Sequence, residues 1–306
     1  MKKMGKLAKL KIGYGLPLLA AALLLTGCAS DKPAATEKPQ QNQTESKEQN
    51  EIKTYDPPSM EKVPEGPLGD SIKLGFKIMN ETNTALPNNV GNNLACSSCH
   101  GTAGTDTTSP LTGVTAVYPA FNPRAGKVLT IEDRINGCFK RSMNGHPLEA
   151  NSDEMRAMVS YLNFISTDVP IGIKERPWII KNSLQTVPKP DLANGEKLYQ
   201  QSCSACHGAD GSGTGPTSGP ALWGDKSFNI GAGMGRISTA AGYIKRNMPL
   251  GEMGGIKQGS LTDQQAADLA GFILSKERPD FAEKANDWPL GNAPADVPYE
   301  LKSNKN

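Results

Sequence analysis

The sequence predicts an all-α protein of two tandem domains, placed after an export signal and a disordered tether. Three observations carry this prediction. The stretch Cys96-Ser97-Ser98-Cys99-His100-Gly101 recurs almost unchanged as Cys203-Ser204-Ala205-Cys206-His207-Gly208. Each copy follows a short helical pattern and precedes a second one roughly fifty residues later. The N-terminus is a run of lysines and then of apolar residues, without an acid.

Lys2, Lys3, Lys6, Lys9 and Lys11 lead into an apolar run from about Ile12 to Leu25. Its length and flanks are those of a secretory signal and fall short of a membrane-spanning helix. The run closes on Leu25-Thr26-Gly27-Cys28, which resembles the bacterial lipoprotein cleavage box. Residues 1–27 therefore read as the signal peptide and Cys28 as the lipidation site, holding the protein on the membrane through buried methylenes. Residues 28–58 read as a lipidated tether. Stretches such as Thr44-Glu45-Ser46-Lys47-Glu48-Gln49-Asn50 bury too little to offset their ordering entropy. The expected location is extracytoplasmic, lipid-anchored to a bacterial membrane. Cleavage before Cys28 removes five lysines and no acid, taking the formal charge from +2 to −3. That balance suits neither nucleic acid nor electrostatic binding to a membrane face, and an anionic substrate would need local Arg or Lys.

The first domain spans 59–168. Its leading helix lies near Gly69–Asn80, with Leu74, Phe76 and Ile78 as apolar positions. Its closing helix lies near Ser152–Ile165, with Ser152 as N-cap and Met155, Met158, Val159 and Leu162 on one face. Residues 169–191 form a Pro-rich linker whose Trp178-Ile179-Ile180 should pack. The second domain spans 192–285, with helices near Asn194–Gln201 and Thr262–Ser275. Thr262 and Gln265 fit a capping box there, and Leu269, Ala270, Ile273 and Leu274 form the inner face. Residues 286–306 are a Pro- and Asn-rich tail expected to wrap the surface. Aromatic residues are only 6% of the chain, so each domain has a small core of its own and needs an apolar filler.

Cys-x-x-Cys-His is the attachment signature of c-type haem. Cys96 and Cys99, and again Cys203 and Cys206, would form the thioethers; His100 and His207 would bind iron. Two haem c groups supply the missing filler, and helix, motif, long loop, helix is the plan of small cytochrome c domains. Two zinc half-sites are the alternative, and export from the cytoplasm argues against them. Of six cysteines, only Cys138 is then unassigned: a buried inert thiol or a distal haem ligand. Only His146 is left among three histidines, so the distal ligands must include Met, Lys or Cys. Cys138 lies 38 residues past His100, with Met143 as competitor. At the second haem Met248, 41 residues past His207, leads Met234, Met253 and Lys245. A Met ligand raises haem potential and suits an electron exit.

Cys138 stands in Arg134-Ile135-Asn136-Gly137-Cys138-Phe139-Lys140-Arg141-Ser142-Met143-Asn144-Gly145. Helical spacing puts Arg134 and Ser142 on the face of Cys138. Arg124 lies fourteen residues upstream. Guanidinium groups bind oxyanions through a planar fork, and they also serve solvent or haem propionates.

This segment, with the Asp153–Tyr161 helix, resembles the tetrathionate-forming thiosulfate dehydrogenases, dihaem c-type cytochromes. Pro220-Ala221-Leu222-Trp223-Gly224, Ser227-Phe228-Asn229, Gly231-Ala232-Gly233-Met234 and Asn247-Met248-Pro249 agree with that family. The resemblance runs over roughly 60–285 and is specific at Cys138. It implies that Cys138 ligates the first, catalytic haem opposite His100, and that Arg124, Arg134 and Ser142 hold substrate. His146 stands where Lys or Arg is more usual and reads as a rim residue. The implied reaction couples two thiosulfates into tetrathionate and is reversible in principle. Cys138 sulfur would leave the iron and bond to the outer sulfur of one thiosulfate before the second attacks. Electrons would pass from the His/Cys haem to the His/Met haem and on to a small cytochrome or membrane carrier. Two other readings use the same motifs: a tethered, non-enzymatic electron carrier, and a Sox-like enzyme that joins thiosulfate to a carrier protein's cysteine.

Overall fold

Helices form both halves of the described residues, and their order repeats. The structure is a computed structural model describing residues 54–302. The expected signal peptide, Cys28 and the tether up to residue 53 lie outside the described residues. The first half contains α1 (Pro67–Asn80), one-turn α2 (Thr82–Ala85), α3 (Gly101–Gly104), α4 (Val114–Val117), α5 (Ile131–Arg141) and α6 (Asp153–Phe164). The second contains α7 (Leu192–Ser202), α8 (Ser204–His207), α9 (Ile237–Asn247) and α10 (Asp263–Leu274). The strands among the described residues are two short antiparallel hairpins, β1 (Ala120–Asn122) with β2 (Lys127–Leu129) and β3 (Glu252–Met253) with β4 (Ile256–Lys257).

Side chains set the helix starts. Ser152 Oγ accepts from the Met155 amide at the head of α6, and Asp191 accepts from the Ala193 and Asn194 amides at α7. Thr262 with Gln265 and Thr130 with Asp133 form reciprocal capping boxes on α10 and α5. The Thr130 box was not anticipated, because α5 carries few apolar residues.

α1 packs across α6, and α7 across α10. Both crossings depend on glycine. A Cβ at Gly75 would fall 2.1 Å from the Ala157 carbonyl oxygen, and one at Gly195 would fall 2.1 Å from that of Asp268. Tyr161 and Tyr199 are wholly buried beside these crossings and donate to the carbonyls of Ala103 and Gly208. Ile72, Gly75, Ile78 and Met79 form the inner face of α1. Leu74, expected inside, is exposed, because it lies about 200° around the helix from Ile72.

The linker lies along the first domain: Trp178 Nε1 donates to Thr112 Oγ1 at 3.0 Å and stacks on Tyr55. Tyr55 Oη donates to the Thr167 carbonyl, so residues read as tether already touch the domain. The tail turns back and buries Trp288. Between the halves, Asn92 Nδ2 donates to the carbonyls of Ser142 and Ser227, and Leu94 packs with Phe228 and Ala232. Among the described residues no helix is long and apolar enough to cross a membrane.

Gly75→Ala is expected to lower the stability of haem-loaded protein by about 1–3 kcal/mol, since backbone must shift at the crossing. Gly137→Ala, with no atom within 4 Å of its added Cβ, should be neutral or stabilising by up to about 1 kcal/mol. Thermal unfolding of the two variants checks the contrast.

Candidate functional site

Two cavities meet at Cys138. The first, of about 410 Å³, is mainly apolar. Cys96, Cys99 and His100 line it beside Leu94, Leu111, Val114, Phe139, Met158 and Leu162, and Cys138 and Met143 line it too. The second, of about 960 Å³, is a polar vestibule between the halves, and Cys99, His100, Arg134, Cys138 and Ser142 border both spaces.

The first cavity fits a c-type haem. Thr82 holds Cys96, accepting from its amide at 3.0 Å and donating to its sulfur at 3.4 Å. His100 Nδ1 lies 2.6 Å from the Ser109 carbonyl oxygen. A carbonyl only accepts, so Nδ1 carries the proton and Nε2 keeps its lone pair for a metal. Burial lowers the His100 pKa to about 4, so the ring stays neutral, as ligation requires. The second motif repeats the device. His207 Nδ1 donates to the Pro220 carbonyl at 2.8 Å, and burial lowers its pKa too. Met248 caps the C-terminus of α9 and, with Met234, packs against the second core. Met253 sits on the β3–β4 hairpin, and Lys245 pairs with Asp263.

The vestibule is cationic. One turn of α5 separates Arg134 from Cys138 and brings Nη1 to 2.9 Å from Sγ. The sulfur, and Tyr118 after it, raise the Arg134 pKa above the ordinary guanidinium value, while burial opposes them. Arg124 enters from the β1–β2 turn, donates to the Gly231 carbonyl at 2.9 Å and lies over the Trp288 ring. Burial, then Arg141 and Arg236, lower the Arg124 pKa to about 10, which leaves it charged at neutral pH. Arg141 donates to the same carbonyl and forms a two-bond pair with Asp287 at 2.9 and 2.7 Å.

The structure thus brings Arg124, Arg134, Cys138 and Ser142 to one vestibule. Met143 borders only the apolar cavity among the two, and His146 is exposed outside both linings. Sequence reasoning missed Tyr118, Arg236 and Trp288, which come from a loop, the second domain and the tail. No periodic pattern marks them. It also left Asn229 without a role. That side chain is 1% exposed and donates to the Lys140 carbonyl and to Asn144 Oδ1, fastening the end of α5 to the second domain.

Fold and site together define a two-domain c-type cytochrome with a cationic vestibule against one haem pocket. Residues 87–171 match the family described as SoxA/TsdA, cytochrome c domain, and residues 192–277 match Cytochrome c. A thiosulfate dehydrogenase of Psychrobacter arcticus is 44% identical over 246 residues, 78% of this chain and 73% of that protein. Another, of Allochromatium vinosum, is 43% identical over 75% of this chain and 86% of its own. The solved thiosulfate dehydrogenase TsdBA of Marichromatium purpuratum superposes with a TM-score of 0.68 at 37% identity, over 74% of this chain and 50% of that one. The chain belongs to the thiosulfate dehydrogenase family. It carries two c-type haems, one per domain.

Asn229→Ala is expected to destabilise the haem-loaded protein by about 1–3 kcal/mol, because two first-domain acceptors lose a buried donor. Ser227→Ala, two residues away, removes a buried hydroxyl that has no partner, and should be neutral or stabilising. Urea unfolding of both variants tests whether the bonds of Asn229, rather than the segment as a whole, hold the junction.

Proposed function

We propose that this chain is a thiosulfate dehydrogenase that joins two thiosulfate dianions into one tetrathionate dianion with loss of two electrons. The observation that carries this reading is the Arg134–Cys138 contact at the mouth of a cationic vestibule. Similarity to thiosulfate dehydrogenases over most of the chain supports it.

The main obstacle is the mutual repulsion of two dianions. Arg134 and Arg124 offset it with charge fixed in advance, so little reorganisation is needed when the anions arrive. Arg134 also orients Cys138 Sγ through its own hydrogen bond, and Ser142 extends the polar edge one turn further. Cys138 Sγ bonds to the outer sulfur of one thiosulfate as two electrons leave. The outer sulfur of the second thiosulfate then attacks that sulfur. The Cys138 bond breaks, the electron pair returns to Sγ, and tetrathionate departs. The bound haems supply the one-electron acceptors for this oxidation. Cys96, Cys99, His100 and Cys138 would hold the first, and Cys203, Cys206, His207 and Met248 the second. The same groups serve tetrathionate cleavage in the reverse direction. The first domain is assigned to 59–168, the linker to 169–191, the second domain to 192–285 and the tail to 286–306.

Cytochrome c domains are typically extracytoplasmic. We infer anchoring by a lipid on Cys28 and electron delivery to an external cytochrome or membrane carrier. The Leu25–Cys28 box supports the anchor.

Haem-loaded wild type should form tetrathionate from free thiosulfate with an artificial acceptor and no carrier protein. Cys138→Gly, with both haems still attached, should lose at least about a hundredfold in kcat. No turnover in either direction by loaded wild type would sink the enzyme reading in favour of a plain electron carrier or a carrier-dependent enzyme. Attraction by vestibule charge also predicts that kcat/KM for thiosulfate falls several-fold as salt rises from about 0.02 to about 0.5 M. Steady-state kinetics at several salt concentrations measures that slope.

A further inference from the structure

Arg236 enters the vestibule from the second domain, immediately before α9. Its Nε is buried and has no hydrogen-bond partner. A buried guanidinium N–H without an acceptor is costly, and the guanidinium that carries it lines the vestibule, where an oxyanion can bond to its accessible N–H groups. Its guanidinium carbon lies 6.0 Å from the centre of the Trp288 ring, and that of Arg124 lies 4.8 Å from the same centre. One indole therefore carries two cations. Neither forms an ion pair with a protein carboxylate among the described residues. The nearby carboxylate, Asp287, is engaged in two bonds by Arg141 and accepts a third from Tyr299.

Coupling two dianions requires two places to hold them. Arg134 and Cys138 define one, on α5. We propose that Arg236, together with Arg124 across the Trp288 ring, forms a second oxyanion subsite that holds the sulfonate of the thiosulfate not bonded to Cys138. The inference rests on the function proposed above. The two subsites would hold the two sulfonate ends of tetrathionate, so Arg236 is a binding residue for both the second substrate and the product.

The test uses fully haem-loaded, oxidised protein without an electron donor, so that tetrathionate binds and cannot react. Calorimetric titration with tetrathionate should show Arg236→Gln weakened about tenfold or more, as for loss of one charge-assisted contact, with Arg236→Lys in between. In turnover, Arg236→Gln should raise KM for thiosulfate several-fold more than it lowers kcat. Haem spectra and potentials should be unchanged. Wild-type affinity in Arg236→Gln would overturn the inference. So would a shifted haem potential with unaltered tetrathionate affinity, which would assign Arg236 to a haem carboxylate. Weakened tetrathionate binding in the variant beside a wild type that does not turn over would uphold the subsite and reject the reaction. Turnover by wild type with an indifferent Arg236→Gln would reject the subsite and uphold the reaction.

Discussion

A guanidinium and a sulfur four residues apart on one helix lie on the same face, and α5 makes them touch. Arg134 Nη1 sits 2.9 Å from Cys138 Sγ, at the boundary between an apolar cavity and a polar one. The rest of the molecule holds that helix in place. Thr130 and Asp133 cap its start. Ile135 and Phe139 bury one face in the first core, which turns the opposite face to the vestibule. Its end is clamped by the second domain, where the Asn229 amide donates to the Arg141 carbonyl and its side chain donates to that of Lys140. The second domain is therefore part of the first domain's site, a scaffold as well as a haem carrier.

The vestibule keeps part of its charge because Arg124 and Arg134 are positioned by groups other than carboxylates. Asp287 answers Arg141 and Glu283 answers Lys140. Arg124 instead is held by the Gly231 carbonyl and an indole face, and Arg134 by a sulfur and Tyr118. A carbonyl or an aromatic face fixes a guanidinium without cancelling it. Such charges, partly withdrawn from water, act on a dianion more strongly than the same charges on an open surface. A carboxylate at each arginine would make a more comfortable protein and a poorer anion site.

Motifs and helices with strong periodicity were legible in the sequence: both Cys-x-x-Cys-His segments, the caps at Ser152 and Thr262, and the inner faces of α6 and α10. Arg134 was legible because its partner is local, at helical spacing. Arg236 and Trp288 were not, because they reach the site only through contacts across the domain boundary, which no local pattern encodes. Leu74 was misplaced for a related reason: three apolar residues at spacing two suggest no face, and the glycine at 75 that marks the crossing carries no hydrophobic signal. Asn229 lay within a family-like stretch, yet its value as a clamp appears only once the end of α5 is beside it.

The two repeats share their mechanical parts and differ where chemistry would differ. Gly75 and Gly195 open the same crossing, and Ser109 and Pro220 orient the two histidines alike. In each domain the helix before the closing one supplies a residue proposed to help hold the haem: Cys138 within α5 and Met248 at the end of α9. Four residues earlier the repeats part. Before Cys138 stands Arg134, in contact with the sulfur; before Met248 stands Ile244, 8% exposed. A thiolate needs a cation beside it, whereas a neutral thioether is best kept among apolar side chains. Two differences together, cysteine for methionine and arginine for isoleucine, separate a sulfur able to act as nucleophile and leaving group from one suited to hold a metal.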